Sequence, residues 1–136
     1  MDGRQFLTVA RFAAQESDEE WQRTAGGRAY YAMFLEARAA LVRWGFANIP
    51  SYQAHAYVRS RFANALPPDL KRIGNALEYL YNVRARADYE IAQTFFTAYV
   101  VERAIDDAAD MIDLLDAIDA DPVRRATAIA AIRAIP

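Results

Sequence analysis

Apolar residues recur along this chain at helical spacing, and no stretch shows the alternation of a strand. Residues 3–16 form the first predicted helix, with Phe6, Val9, Ala10 and Ala13 on one face and Gln5, Arg11 and Gln15 elsewhere. Ser17-Asp18-Glu19-Glu20 is a capping-box pattern with acids in the first turn. It opens a long second helix that reaches about Trp44 and is closed by Gly45. Trp21, Ala25, Arg28, Ala32 and Leu35 mark one face of that helix, with Ala29, Met33, Ala37 and Ala40 beside it. From Ala29 to Leu35 it is apolar almost all round, which predicts a central or interface helix. The Gly26-Gly27 pair costs up to about 1 kcal/mol per glycine against alanine, so a close helix crossing or a kink is expected there.

Ser51 is placed to cap a third helix over residues 52–64, after the loop Asn48-Ile49-Pro50-Ser51. Pro67-Pro68-Asp69 starts the fourth, with proline in its first turn. This helix is expected to end near Asp88, and residues 89–96 suit a turn or extended link as well as a helix. Thr97 can cap a fifth helix, where Val101, Ile105, Ala108, Ile112 and Leu115 form one stripe. Arg103, Asp106, Asp107, Asp110 and Asp113 make its solvated face. Asp121-Pro122 starts the last helix, 122–134, with Val123, Ile129 and Ile132 roughly on one side. The expected fold is all-α: an antiparallel up-and-down bundle of five to six helices. It forms a single domain over 1–136, with 118–136 as a C-terminal accessory helix.

One residue breaks this pattern. Leu77, Leu80, Arg84 and Ala87 fall at i, i+3, i+7 and i+10, so Arg84 lies on the stripe expected to be buried. A buried guanidinium needs a partner, because an unpaired buried charge is expensive. Arg84 with Asp88, and Arg86 with Glu90, are i, i+4 ion pairs worth a few tenths of a kcal/mol each. That spacing accounts for Arg86. For Arg84 it leaves two readings open: a buried pair closing a helix end, or a cation for phosphate.

Composition narrows the function classes. The chain has 136 residues, 54% hydrophobic, which is ample for a core and argues against disorder. A formal charge of -2 argues against a strongly basic nucleic-acid binder, though clustered arginines can still form a local patch. Lys71 is the only lysine, and arginine favours bidentate carboxylate or phosphate contacts. There are no cysteines, which removes disulfides, Cys-zinc sites and thiol catalysis. One histidine, His55, argues against a His-based metal site within one chain. No run is apolar and long enough to span a membrane, and the first residues do not read as a signal peptide. A soluble, cytoplasmic protein is expected.

Two further groups carry potential chemistry. Arg28 and Tyr31 lie three apart on one face of the second helix, inside Arg28-Ala29-Tyr30-Tyr31-Ala32-Met33-Phe34. Paired tyrosines in so apolar a turn are usually core, with hydroxyls bonded at its edge. The alternative sets Tyr30 or Tyr31 beside Arg28 and Arg84 as a polar group. His55, on the third helix, is the one side chain with an unperturbed pKa near neutrality.

Taken together these segments resemble the small prokaryotic HEPN-domain proteins. The motifs are Arg28-Ala-Tyr-Tyr-Ala-Met-Phe, a helix around His55, Leu66-Pro67-Pro68-Asp69-Leu70, and Arg84-x-x-Ala87-Asp88-Tyr89-Glu90, over about residues 5–116. The resemblance implies a helical bundle that usually dimerises. It also implies a role in a toxin–antitoxin or phage-defence module, with metal-independent RNase activity and often a nucleotidyltransferase-type antitoxin as partner. No cofactor, metal or membrane is implied. By the same resemblance Arg84, Asp88 and Tyr89 are the candidate catalytic residues, and Arg28, Tyr31 and His55 the candidate RNA or nucleotide contacts; Arg86, on the same helix as Arg84, is a further candidate contact. The RNase-active members place a histidine four to six residues after the motif arginine. Here Tyr89 stands five after Arg84 and no histidine follows, and Leu35 stands where relatives commonly have histidine. Tyr89 or His55 is left for proton transfer. The alternative is a non-catalytic nucleotide-binding or protein-interaction module.

Overall fold

The computed structural model describes residues 1–92 and 97–136, and every regular element among them is helical. The helices are α1 (Gly3–Ala14), α2 (Glu19–Arg43), α3 (Ala54–Ala63), α4 (Pro68–Tyr89), α5 (Ala98–Ala120) and α6 (Pro122–Arg133). The fold is the expected all-α bundle. No helix among the described residues is long and apolar enough to cross a membrane.

α2 is the central rod and packs against α1, α3, α4 and α5. Ala25, Ala29, Ala32, Ala37 and Ala40 are fully buried along it, so neighbouring helices approach on several sides. Its C-terminus is a Schellman turn. Gly45 takes φ +96, and the Phe46 amide donates to the Leu41 carbonyl at 2.8 Å. Trp44 seals this end by donating Nε1 to Asp119 of α5 at 2.7 Å.

The caps divide into those expected and those not. Thr97 accepts from the Val100 amide, and Asp121 accepts from the Val123 and Arg124 amides, as the sequence predicts. The Ser17 capping box does not form. Asp18 is the N-cap of α2, without a side-chain cap bond. Likewise α3 begins two residues later than expected and Ser51 does not cap it. The capping box that does form is Asp2 with Gln5, at the start of α1.

Helix phase also differs from expectation in three places. In α1 the buried side is Gly3, Leu7, Ala10 and Ala13, whereas Val9 is exposed. The reason is a close approach at Gly3: a Cβ there would run into the Ala32 carbonyl and Glu36 of α2. In α2, Trp21 and Arg28 are exposed, and Gln22 faces inward instead. Gln22 donates Nε2 to the carbonyls of Ala14 and Glu16, closing the end of α1. In α6, Ala128 and Ile132 are buried and Val123 is exposed. That helix packs on α5 and is tied to α4 by Arg124 and Asp69 at 2.8 Å.

α4 carries the expected buried stripe, Leu70, Ile73, Leu77, Leu80, Val83 and Ala87. Gly74 sits where α3 crosses, and a Cβ at that position would overlap the backbone of Ala63. The helix ends at Tyr89, one residue past the expected stop, and Glu90–Ala92 are not helical. Residues 93–96, the rest of the expected link, lie outside the described residues. The five-residue apolar stripe expected on α5 is buried. Of its expected solvated face, Asp106, Asp110 and Asp113 are exposed and Asp107 is half-buried. Arg103 pairs with Asp107 at 3.6 Å and lies over the Tyr79 ring.

Candidate functional site

The N-terminal half of α2 and the C-terminal half of α4 leave a cleft of about 560 Å³ between them. Glu20, Arg23, Thr24, Gly27, Arg28 and Tyr31 line it from α2, and Arg84, Ala87 and Asp88 from α4. Its size is in the range of small-ligand sites.

Arg84 is half-buried, as its place on the apolar stripe predicts. Its stem crosses Gly27, where a Cβ would stand 3.9 Å from the Arg84 Cγ. Its guanidinium lies over the Tyr31 ring, 5.3 Å from the centroid. Nε is buried and 3.1 Å from Asp88 Oδ2. The pair is electrostatic and not an aligned hydrogen bond, since Nε has no bonded partner. The terminal nitrogens make no protein hydrogen bond among the described residues. A planar donor fork is therefore aimed at the cleft with its capacity unspent. Asp88 is half-exposed and balances the charge only partly.

Arg28 is the second cation. It is exposed, its guanidinium carbon is 5.4 Å from the Phe6 ring, and it forms no ion pair among the described residues.

Arg23 serves differently, and nothing in the helical pattern marks it. Its side chain is only 11% exposed. Nη1 donates to the carbonyls of Arg86 and Ala87 and Nη2 to that of Glu90, each at 3.0 Å. Nε donates to Glu19 at 2.9 Å. These carbonyls end α4 and lack helical partners, and a cation there also meets the negative end of the helix dipole. Arg23 thus fastens the turn that carries Asp88.

Behind Tyr31 lies an aromatic box on His55. The imidazole stacks on Phe34 at 4.1 Å between centroids and 15° between planes. Its Nδ1 is hydrogen-bonded to the Tyr30 hydroxyl. Burial, then the charges of Arg84 and Arg59, hold His55 below the usual histidine range. This favours the neutral imidazole. Burial also pushes the Tyr30 hydroxyl well above the ordinary tyrosine value.

The structure thus gathers Arg84, Asp88, Arg28 and Tyr31 in one cleft, with His55 next to it through Tyr31. It sets the other two candidates apart. Tyr89 is 75% exposed and outside the cleft lining. Arg86 pairs with Glu90 at 3.4 Å and does not line it either. Arg23 and Arg59 escape sequence reasoning because the contacts that set their roles, the α4 carbonyls and the Tyr81 ring, are remote in sequence, and the local Glu19–Arg23 pair gives no hint of them.

A smaller cleft of about 260 Å³ between α1 and α5 sets Arg11 against Glu102 and Asp106. That balance does not suit an anion. Among the described residues no group of three His, Cys, Asp or Glu is placed to hold a metal.

The family model for the HEPN domain matches residues 3–118. This chain belongs to the HEPN family, and α6 lies beyond the matched region. No curated protein and no solved structure matches it.

Proposed function

We propose that this protein is the RNA-directed member of a toxin–antitoxin or phage-defence module, and that the α2–α4 cleft binds the RNA phosphodiester. The observation that carries this reading is Arg84, half-buried on Tyr31 beside Arg28, with terminal nitrogens that make no protein hydrogen bond among the described residues. Such a fork fits two phosphate oxygens, and its donors stabilise charge that builds on them as a phosphorane forms. Metal-independent cleavage would also need a base for the ribose 2′-hydroxyl. His55 is the candidate, because its surroundings favour the neutral imidazole and it meets the same tyrosine edge-on. We further propose a homodimer, supported by exposed Phe12 and Trp21, with a nucleotidyltransferase-type antitoxin as partner.

The test is degradation of RNA by purified protein in chelator, compared with Arg84→Ala. Loss of cleavage in the variant is expected, and equal cleavage by both removes Arg84 from the chemistry. The second reading is a non-catalytic nucleotide-binding or protein-interaction module. It is favoured by Tyr89, which stands in the motif place of the usual histidine and yet faces solvent. Under that reading RNA or nucleotide binds at the cleft and emerges uncleaved.

A further inference from the structure

The arginine–aromatic arrangement continues past the cleft. Tyr31 and Tyr81 both meet the buried Tyr30 ring edge-on, at 5.5 and 5.7 Å, so α2 and α4 each bring a half-buried tyrosine to this end. Tyr31 carries Arg84, as described above. Tyr81 carries Arg59 in the same manner, with the guanidinium carbon 5.1 Å from its ring centroid. Arg59 comes from α3, one turn after His55, and His55 is 6.4 Å from Tyr81. Arg59 is itself half-buried and forms no ion pair among the described residues.

Arg59 and Arg84 both act on His55 and on Tyr30. Arg84 is partly offset by Asp88 at 3.1 Å, whereas Arg59 has no carboxylate within ion-pair distance among the described residues. A half-buried cation without a carboxylate partner is stabilised by an arriving anion. Each guanidinium lies over a tyrosine ring, which reduces the ordering needed on binding.

We propose that Arg59, with His55 and Tyr81, forms a second anion subsite, linked to the Arg28–Arg84 cleft through the Tyr31–Tyr30–Tyr81 ring contacts, so that the ligand is a single strand spanning at least two phosphates. Arginine paired with half-buried tyrosine is the side-chain combination with which proteins bind single strands. This proposal rests on the reading of the cleft as a phosphodiester site, and deepens it by excluding a mononucleotide as the full ligand.

The experiment compares a short fluorescein-labelled single-stranded RNA, followed by anisotropy across a salt series, with adenosine 5′-monophosphate, followed by calorimetry. The proteins are the wild type, Arg59→Gln, Arg59→Lys and Arg84→Ala, each with its melting temperature measured. Arg59→Gln should weaken RNA binding about tenfold, the worth of one charge-assisted contact, and leave the mononucleotide unaffected. Its log–log salt slope should fall by about 0.7, one phosphate's share for a single strand. Arg59→Lys should restore the slope, and Arg84→Ala should weaken both ligands. Unchanged RNA affinity and slope in Arg59→Gln, with loss in Arg84→Ala, overturns the second subsite and leaves the cleft reading standing. Equal weakening of both ligands by Arg59→Gln also overturns it, because Arg59 would then serve the first phosphate. Wild-type protein that binds neither ligand overturns both readings.

Discussion

Replacing Arg23 by alanine tests whether the end of α4 is fastened from α2. Among the described residues the change removes three hydrogen bonds to main-chain carbonyls and one to Glu19. The Glu19 pair is mostly in water and is worth only tenths of a kcal/mol. Charge-assisted bonds to carbonyls are worth more, about 1.5 kcal/mol each at the low end. Two of the three carbonyls, those of Arg86 and Glu90, are exposed, so water takes over much of their share. The Ala87 carbonyl is partly buried and keeps its penalty. Together with the lost charge–dipole term and the packing of the Arg23 stem, the expected destabilisation is about 2–3 kcal/mol. For a chain of this size that lowers the melting temperature by roughly 8–12 °C. Far-UV circular dichroism on heating measures it, and hydrogen exchange locates it: the amides near 86–90 should lose protection first. Arg23→Lys keeps the charge without the fork and should fall between the two. A melting temperature within about 2 °C of wild type for Arg23→Ala would refute the clasp.

The other predictions concern packing and titration. Gly74→Ala should cost roughly 1–3 kcal/mol in thermal or denaturant unfolding, because the new methyl overlaps the Ala63 backbone and pushes α3 from α4. Gly27→Ala should do the reverse and stabilise by up to about 1 kcal/mol, since its Cβ meets only the Arg84 stem at ordinary contact distance. His55 should titrate by NMR below its ordinary value near 6.5, and Arg84→Ala should raise it by removing one of the two facing cations. The sign for stability follows. Below about pH 6.5 the unfolded chain takes up a proton that the folded chain does not. Stability from this site is therefore full above that pH and is lost as pH falls towards the lower folded value. Acid stability that is unchanged on replacing His55 with glutamine would contradict this.

Much of the site was legible in the sequence, for a physical reason. Arg84 stood out because a charge on a stripe of Leu77, Leu80 and Ala87 must be compensated, and i, i+4 spacing pointed to Asp88. Both features are local, and local features survive folding. The roles of Arg23 and Arg59 were invisible because the carbonyls and the ring they meet are remote in sequence. The carbonyls that Arg23 caps are more than sixty residues away. In a helix as apolar all round as α2 the buried side has no unique phase. Trp21, on the face marked by Ala25 and Ala32, is exposed, while Gln22 turns inward to close α1. The phase of α1 was set by Gly3 against α2, a contact that an apolar count does not register. The RNase resemblance drew attention to Tyr89, whose exposure moves the search for a proton acceptor to His55.

The central claim is that Arg84 presents unspent donors to a phosphodiester in the α2–α4 cleft. Anisotropy of a labelled single-stranded RNA, with wild type and Arg84→Lys measured at matched salt and matched fold, tests it most directly. Lysine keeps the charge and loses the planar fork, so binding should weaken at least about tenfold while the melting temperature changes little. Equal affinity for the two proteins would contradict the account, because it would show that the fork at Arg84 never meets the strand.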